Sequence, residues 1–224
     1  MSGEPARLSG RTFPVILSAP SGGGKTTVAR LLRERRPDVT FSISATTRAP
    51  RRHEQDGRDY WFTSPGEFRR MAEAGELVEW AEVHGNLYGT PRRNLEEAVA
   101  RGEYLLLDID IQGARQIREK VPDAVQIFIL PPSGVALVER LLHRGSEDDA
   151  VRRRRIANAR QEIAAAAEFD YVVVNDRLEA TVAAVEGILE AESRRSTRMA
   201  GLAGEIARLD GEIGRWLEGG ENAS

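Results

Sequence analysis

The stretch FPVILSAPSGGGKTT, Phe13 to Thr27, decides how this chain folds. Val15, Ile16 and Leu17 make a short apolar run that reads as a buried strand. The run breaks into Pro20, Ser21, Gly22, Gly23 and Gly24, then Lys25, Thr26 and Thr27, and continues as VARLLRER with helical spacing. Strand, glycine loop, Lys-Thr and helix together form the context in which a phosphate-binding loop works. Glycines let successive backbone N–H groups turn inward around phosphate oxygens, and the helix points its positive N-terminal end at the same charge. Lys25 would then reach the β- and γ-phosphates of a nucleotide, and the Thr26 hydroxyl would hold Mg²⁺. The pattern G-x-x-x-x-G-K-[ST] places its first glycine where this chain has Ala19. Alanine is expected to be tolerated there, since three glycines remain for the closest approach to phosphate.

At 224 residues the chain can bury a sizeable core. Its net charge of −3 gives no global basic field for nucleic acid. Zero cysteines exclude a disulfide framework and any cysteine-ligated metal, which fits a cytoplasmic protein. No apolar run approaches the roughly 18–20 residues of a membrane span. The start, MSGEPARLSGRT, lacks the apolar segment of a signal peptide and reads as a disordered lead-in over 1–12.

Beyond the first helix, Val39 to Ser44 alternates like a strand, and a polar, turn-rich loop follows to Asp59. Ser64-Pro65-Gly66-Glu67 is a capping box that starts a helix to about Ala74. Leu77 to Val83 alternates, Gly85-Asn86 turns, and Leu87-Tyr88 returns, which predicts a hairpin. Thr90-Pro91 opens a helix to about Arg101; strands at 104–110, 124–130 and 171–174 then alternate with helices at about 111–120, 134–144, 149–168 and 178–193. Such alternation predicts a parallel α/β sheet, with the 60–90 segment inserted beside it.

In an open parallel sheet, ligands sit beyond the carboxyl ends of the strands. Asp108 and Asp110 end an apolar strand, where buried acids are costly unless they meet a cation or cap the next helix. Arg48, Arg51 and Arg52 lie beside a hydroxylic Ser44-Ala-Thr-Thr run, with Tyr60 following, and suit a phosphate anion. His53, His84 and His143 lack metal-ligand spacing and read as surface residues. Arg152 to Arg155 spread round a helix, so at most two of them share a face.

Taken in order, ATTRAPR, GRDYWF, LVEWAEVHGNLYGTP, LLLDIDIQG, ERLLHRG and YVVVND resemble guanylate kinase from about Pro14 to Leu189. The resemblance implies the P-loop nucleoside monophosphate kinase fold, α/β, with a parallel sheet core flanked by helices. It also implies a small mixed β/α GMP-binding module and a helical lid. On that pattern the core covers 13–44 and 91–193, the module about 45–90 and the lid about 140–160. The implied reaction is Mg²⁺-dependent transfer of a phosphoryl group from ATP to GMP, with no nucleic acid or membrane partner.

Carried onto this chain, Ser44, Thr90 and Glu79 resemble the family's contacts to guanine, and Arg48, Arg51, Tyr60 and Tyr88 the set that holds the GMP phosphate. Asp110 matches the acid near the GMP base and metal, and Asp108 the acid that meets Mg²⁺ through water. Ala19 to Thr27 would cradle ATP. Arg140, Arg144 and Arg155 match lid arginines, with Lys25, Arg51, Arg144 and Arg155 catalytic, and Asn175 with Asp176 the adenine-side loop. The rival reading is a catalytically silent scaffold module that binds phosphopeptides. Residues 194–224 depart from the expected family pattern. Met199, Leu202, Ile206, Leu209, Ile213 and Trp216 recur there at heptad spacing, weakened by glycines. Such a seam would pair with a partner helix, possible homo-oligomer included, pack on its own domain, or stay disordered until bound.

Overall fold

The computed structural model describes residues 8–83, 85–142 and 149–220, and only the backbone of 149–152 and 219–220. In chain order the elements are β1 (Ser9–Gly10), β2 (Pro14–Ser18), α1 (Lys25–Arg35), β3 (Val39–Phe41), β4 (Ala45–Thr46) and β5 (Trp61–Phe62). Next come α2 (Pro65–Glu73), β6 (Leu77–Val83), β7 (Asn86–Pro91), α3 (Arg92–Arg101), β8 (Tyr104–Asp108) and α4 (Ile111–Lys120). The chain continues through β9 (Val125–Leu130), α5 (Gly134–Leu142), α6 (Asp149–Ala164), β10 (Tyr171–Val174), α7 (Leu178–Ser193), β11 (Met199–Ala200) and α8 (Leu202–Gly220).

Residues 13–186 form one compact unit. Its centre is a five-stranded sheet in the order β10-β9-β2-β8-β3, every pair parallel. All five residues of β2 are buried, because strands pair on both its edges and helices cover both faces. The phosphate loop therefore leaves the most rigid strand of the sheet. Ile16, Leu105, Leu107, Ile109, Ala114 and Ile117 make one core cluster, which also takes in Val78 from β6.

The inserted segment is a second, mixed sheet in the order β5-β4-β7-β6. Its small core is Ala45, Phe68 and Leu77. The Ser64 hydroxyl accepts from Glu67 N, while the Glu67 carboxylate turns to Arg70, so half of the capping box forms. The alternation expected along 77–83 is interrupted: Leu77 pairs with Pro91 but Glu79 with Thr90, a bulge at Val78. Leu77, Val78 and Glu79 are consequently all buried, and Leu77 and Val78 enter different cores.

The second unit comprises, among the described residues, 8–12 and 187–220. The expected disorder of 1–12 does not hold at Ser9–Gly10, which pairs antiparallel with Met199–Ala200; residues 1–7 lie outside the described ones. A Cβ on Gly10 would sit 2.3 Å from the Ser193 carbonyl oxygen, so glycine is required for this approach. Met199, placed in the heptad seam by its spacing, is a strand residue instead. In α8, Ile206, Leu209, Ile213 and Trp216 are exposed.

Candidate active site

The loop after β2 is shaped by glycines that no other residue could replace cheaply. Gly22 and Gly24 have φ of 83° and 92°, in the left-handed region. A Cβ on Gly23 would lie 2.9 Å from both Ala19 Cβ and the Pro20 carbonyl, so the room for Ala19 exists because Gly23 has no side chain. Gly24 is the N-cap of α1 and offers no side-chain acceptor, leaving the first amides of the helix to an anion.

Lys25 lies along the end of β8. Its Nζ is 2.6 Å from Asp108 Oδ1 and donates to the Ile109 carbonyl at 2.8 Å, which also accepts from Ser18 Oγ at 2.7 Å. The Thr26 hydroxyl donates to Asp108 Oδ2 at 3.3 Å. Asp110, the second acid, caps α4 by accepting from Gly113 N at 2.9 Å. The two acids thus divide the roles that the sequence left open: Asp108 meets a cation and Asp110 a helix N-terminus.

A residue that sequence reasoning missed enters from α6. Glu162 Oε2 accepts from Ser21 N at 2.8 Å, placing a carboxylate on the rim of the phosphate loop. Arg155, Ala159 and Glu162 follow at helical spacing, and Ala159 is buried, so that face of α6 looks inward. Arg153 and Arg154 are exposed and Arg155 is half-buried. Arg144, His84 and His143 lie outside the described residues, as does the Arg152 side chain.

Asn175, expected on the adenine side, is a buried brace under the loop. Its Nδ2 donates to the Gly23 carbonyl at 2.9 Å, and its Oδ1 accepts from Thr181 Oγ1 at 3.2 Å. Asp176 is exposed beside it. The Arg140 guanidinium donates to the Asn175 carbonyl at 3.4 Å.

Between the two sheets lies a cavity of about 420 Å³, lined by Thr26 and Asp108 at one end and Glu79, Ser44, Tyr60, Tyr88 and Asp110 elsewhere. Glu79 is 3% exposed. Burial pushes its carboxyl up to about 7; the neighbouring Asp110 charge adds to this, while the Thr90 hydroxyl and Lys120 oppose it. Thr90 Oγ1 donates to Glu79 Oε1 at 2.6 Å, so the hydroxyl and the carboxylate form one buried pair. A buried acid facing a cavity, with one oxygen satisfied, calls for donors from a ligand.

Arg48 is the arginine of its loop that the fold holds in place. Its guanidinium forks onto Glu54 at 3.0 and 2.9 Å, donates to Tyr88 OH at 3.2 Å, and stacks 5.3 Å from the Tyr60 ring centre. Burial, with the Asp108 charge, pushes the Tyr60 hydroxyl up. Arg51 and Arg52 are exposed. His53, exposed as expected, borders the cavity, as do Asp59, from the GRDYWF motif, and Ser42 and Glu54, which carried no motif signal. Asn94, on α3, donates to Ser42 Oγ and the Ile43 carbonyl and so fixes the cavity wall.

Comparison with known proteins agrees with this geometry. The guanylate kinase family profile matches residues 11–192. A guanylate kinase of Rhizobium meliloti (strain 1021) is 47% identical over 200 residues, covering 89% of this chain and 91% of that one. One of Rhodopseudomonas palustris (strain BisB18) is 46% identical over 209 residues, covering 93% and 95%. The crystal structure of guanylate kinase from Anaplasma phagocytophilum superposes with a TM-score of 0.74 at 38% identity, over 90% of this chain and 96% of that one. A match of 209 residues in a chain of 224 leaves 15 outside, so at least 16 of residues 194–224 fall within it. The family profile nevertheless ends at residue 192, short of the 194–224 segment.

Proposed function

This chain belongs to the guanylate kinase family, and from that premise we propose how its residues divide the transfer of a phosphoryl group from ATP to GMP. The overall reaction yields ADP and GDP: an oxygen of the GMP phosphate attacks the γ-phosphorus, and the bond from it to the β-bridging oxygen breaks. That attacking phosphate is already an anion, so no strong general base is required, and the protein's work is positioning and charge neutralisation.

Glu79 accepts the ring imino and exocyclic amino hydrogens of guanine, with Thr90 and Ser44 alongside. Arg48, Arg51, Tyr60 and Tyr88 hold the GMP phosphate, Arg48 exchanging part of its fork on Glu54 for phosphate oxygens. Residues Ala19 to Thr27 wrap the ATP phosphates, and Lys25 leaves Asp108 to follow the transferring group. Arg144 and Arg155 bring further positive charge as the lid closes, and Arg140, Asn175 and Asp176 flank the adenine side. Among the described residues no cluster of three metal-ligating side chains exists. Thr26 and Asp108, which touch each other, fit an ion held chiefly by ATP phosphates, with Asp108 acting through water. Bound there, Mg²⁺ would neutralise charge on the β- and γ-oxygens.

In the same reading the core is 13–44 and 91–193, the GMP module about 45–90 and the lid about 140–160. No described helix is long and apolar enough to cross a membrane, and the protein is assigned to the cytoplasm on its substrates. The silent scaffold alternative finds no support in the relatives. The observation that carries the reading is the continuity of one cavity from Glu79 to Thr26 and Asp108. ADP release measured with GMP, AMP, CMP and UMP as acceptors tests it: GMP alone should be turned over rapidly, and equal rates with AMP would overturn it.

A further inference from the structure

Glu79 sits in a strand whose regularity is broken where precision matters most. The bulge at Val78 interrupts the β6–β7 ladder immediately before Glu79, and regular pairing resumes only at Glu79 with Thr90 and Trp80 with Gly89. β6 is also an edge strand of its sheet, so its outer side has no strand to pair with. The described structure puts α4 on that side. Gln116 Nε2 donates to the Trp80 carbonyl at 2.6 Å, and its Oε1 accepts from Trp80 N at 3.3 Å. One side-chain amide thus satisfies both backbone groups of the residue after Glu79, as a neighbouring strand would. Lys120 Nζ donates at 2.9 Å to the carbonyl of Val78, the residue before it.

The same helix face also sets the depth of the carboxylate. Gly113, Gln116 and Lys120 stand at i, i+3 and i+7 and so line one face of α4. A Cβ on Gly113 would lie 2.6 Å from Glu79 Oε2, so only glycine admits the carboxylate there. Ala114 and Ile117, on the buried side, share a core cluster with Val78 and fix the helix against the strand. A carboxylate that must meet two donors on one base edge tolerates errors of only a few tenths of an ångström and 10–20°, by the usual standard of about 0.5 Å for a preorganised site.

We propose that Gln116 is a specificity-determining positioning residue: by bracketing the Trp80 peptide, with Lys120 on Val78, it holds Glu79 in register for guanine. The proposal rests on the reading of Glu79 as the base-reading acid. Gln116 touches no substrate and acts through Glu79 alone. Its loss should therefore blur the distinction between bases rather than slow transfer in general. Inosine monophosphate is the discriminating probe, because its base keeps the imino hydrogen and lacks the exocyclic amino group. A well-held carboxylate gains from that second donor, and a wandering one gains less.

The test compares kcat/KM for GMP and inosine monophosphate in the full-length protein and in Gln116→Ala, Lys120→Met and Glu79→Ala. Gln116→Ala should lower the GMP-over-inosine-monophosphate ratio about tenfold, the worth of one hydrogen bond to a charged acceptor. The change should fall on KM for GMP, with KM for ATP unaltered, and Lys120→Met should move the ratio in the same direction by less. General destabilisation would depress both acceptors alike and leave the ratio intact, and that outcome overturns the proposal. Glu79→Ala separates the two claims. A ratio lost in Glu79→Ala but kept in both α4 variants overturns the positioning role alone. A ratio kept in Glu79→Ala overturns the reading of Glu79 and the proposal with it.

Discussion

Replacing Glu79 by glutamine should make the nucleotide-free protein more stable while impairing its activity. The carboxyl is pushed from 4.5 to about 7, first by burial, so the folded protein binds this proton more tightly than the unfolded chain does. Between those two values the native state carries more protons, and stability falls as pH rises through the window. A shift of about 2.5 pKa units corresponds to about 3 kcal/mol lost by pH 7, most of it absent near pH 4. Glutamine removes the charge and keeps the shape, and its carbonyl can still accept from Thr90. Its new amide hydrogens lack an assured acceptor, which costs about 1 kcal/mol. A net gain of about 2 kcal/mol at neutral pH remains, or roughly 4–8 °C in Tm for a chain of this size.

Thermal unfolding of wild type and Glu79→Gln without nucleotide, at several values from about pH 4.5 to 8, reads this directly. The gap should open as pH rises and flatten above about pH 7, as the wild-type carboxylate ionises. In the same variant kcat/KM for GMP should fall by about 10² or more, because an amide presents a donor to the base's own donors. A gap that is absent, or that does not vary with pH, would show that Glu79 carries no buried charge.

Lys25→Ala should fold normally and lose phosphoryl transfer by orders of magnitude, as the charge next to the transferring group disappears; near-normal turnover would sink that role. Glu162→Gln should bind ATP several-fold more tightly in calorimetry, with GMP unaffected, because a carboxylate then no longer holds the Ser21 amide beside the phosphates. Weaker ATP binding would instead mark Glu162 as a support of the loop. Removing residues 201–224 should leave turnover within about threefold, a change of about 0.65 kcal/mol in barrier, since no cavity residue lies there. Sedimentation of that variant tests the homo-oligomer expected through the exposed seam of α8, and the same number of chains per particle as in the full-length protein would exclude it.

What could be read from the chain alone follows a physical divide. The phosphate loop was legible because its chemistry is local: three glycines, a lysine and a threonine at fixed offsets have few other uses. The parallel sheet was legible for the same reason, as each strand is a contiguous apolar run. Asp108 and Asp110 were visible as acids at a strand end, yet their division of labour depends on Lys25 and Gly113, brought to them by the fold. Glu162, Gln116 and Asn94 gave no signal, and the bracing role of Asn175 gave none, because each acts across a long sequence separation on a backbone group, and a backbone group has no letter in the sequence.

The bulge at Val78 shows why this blindness matters for specificity. Period-two reading puts Leu77 and Glu79 on one face, which would seat an acid in the apolar core of the small sheet. The inserted residue instead lets Leu77 serve that core and Val78 the larger one, leaving Glu79 between them at the cavity wall. A strand that joins two cores must break its own alternation, and here the break is what turns a carboxylate toward the cavity. The supports that then hold it come from α4, so in the proposed reading the choice of nucleotide depends on the packing of one helix as much as on the acid.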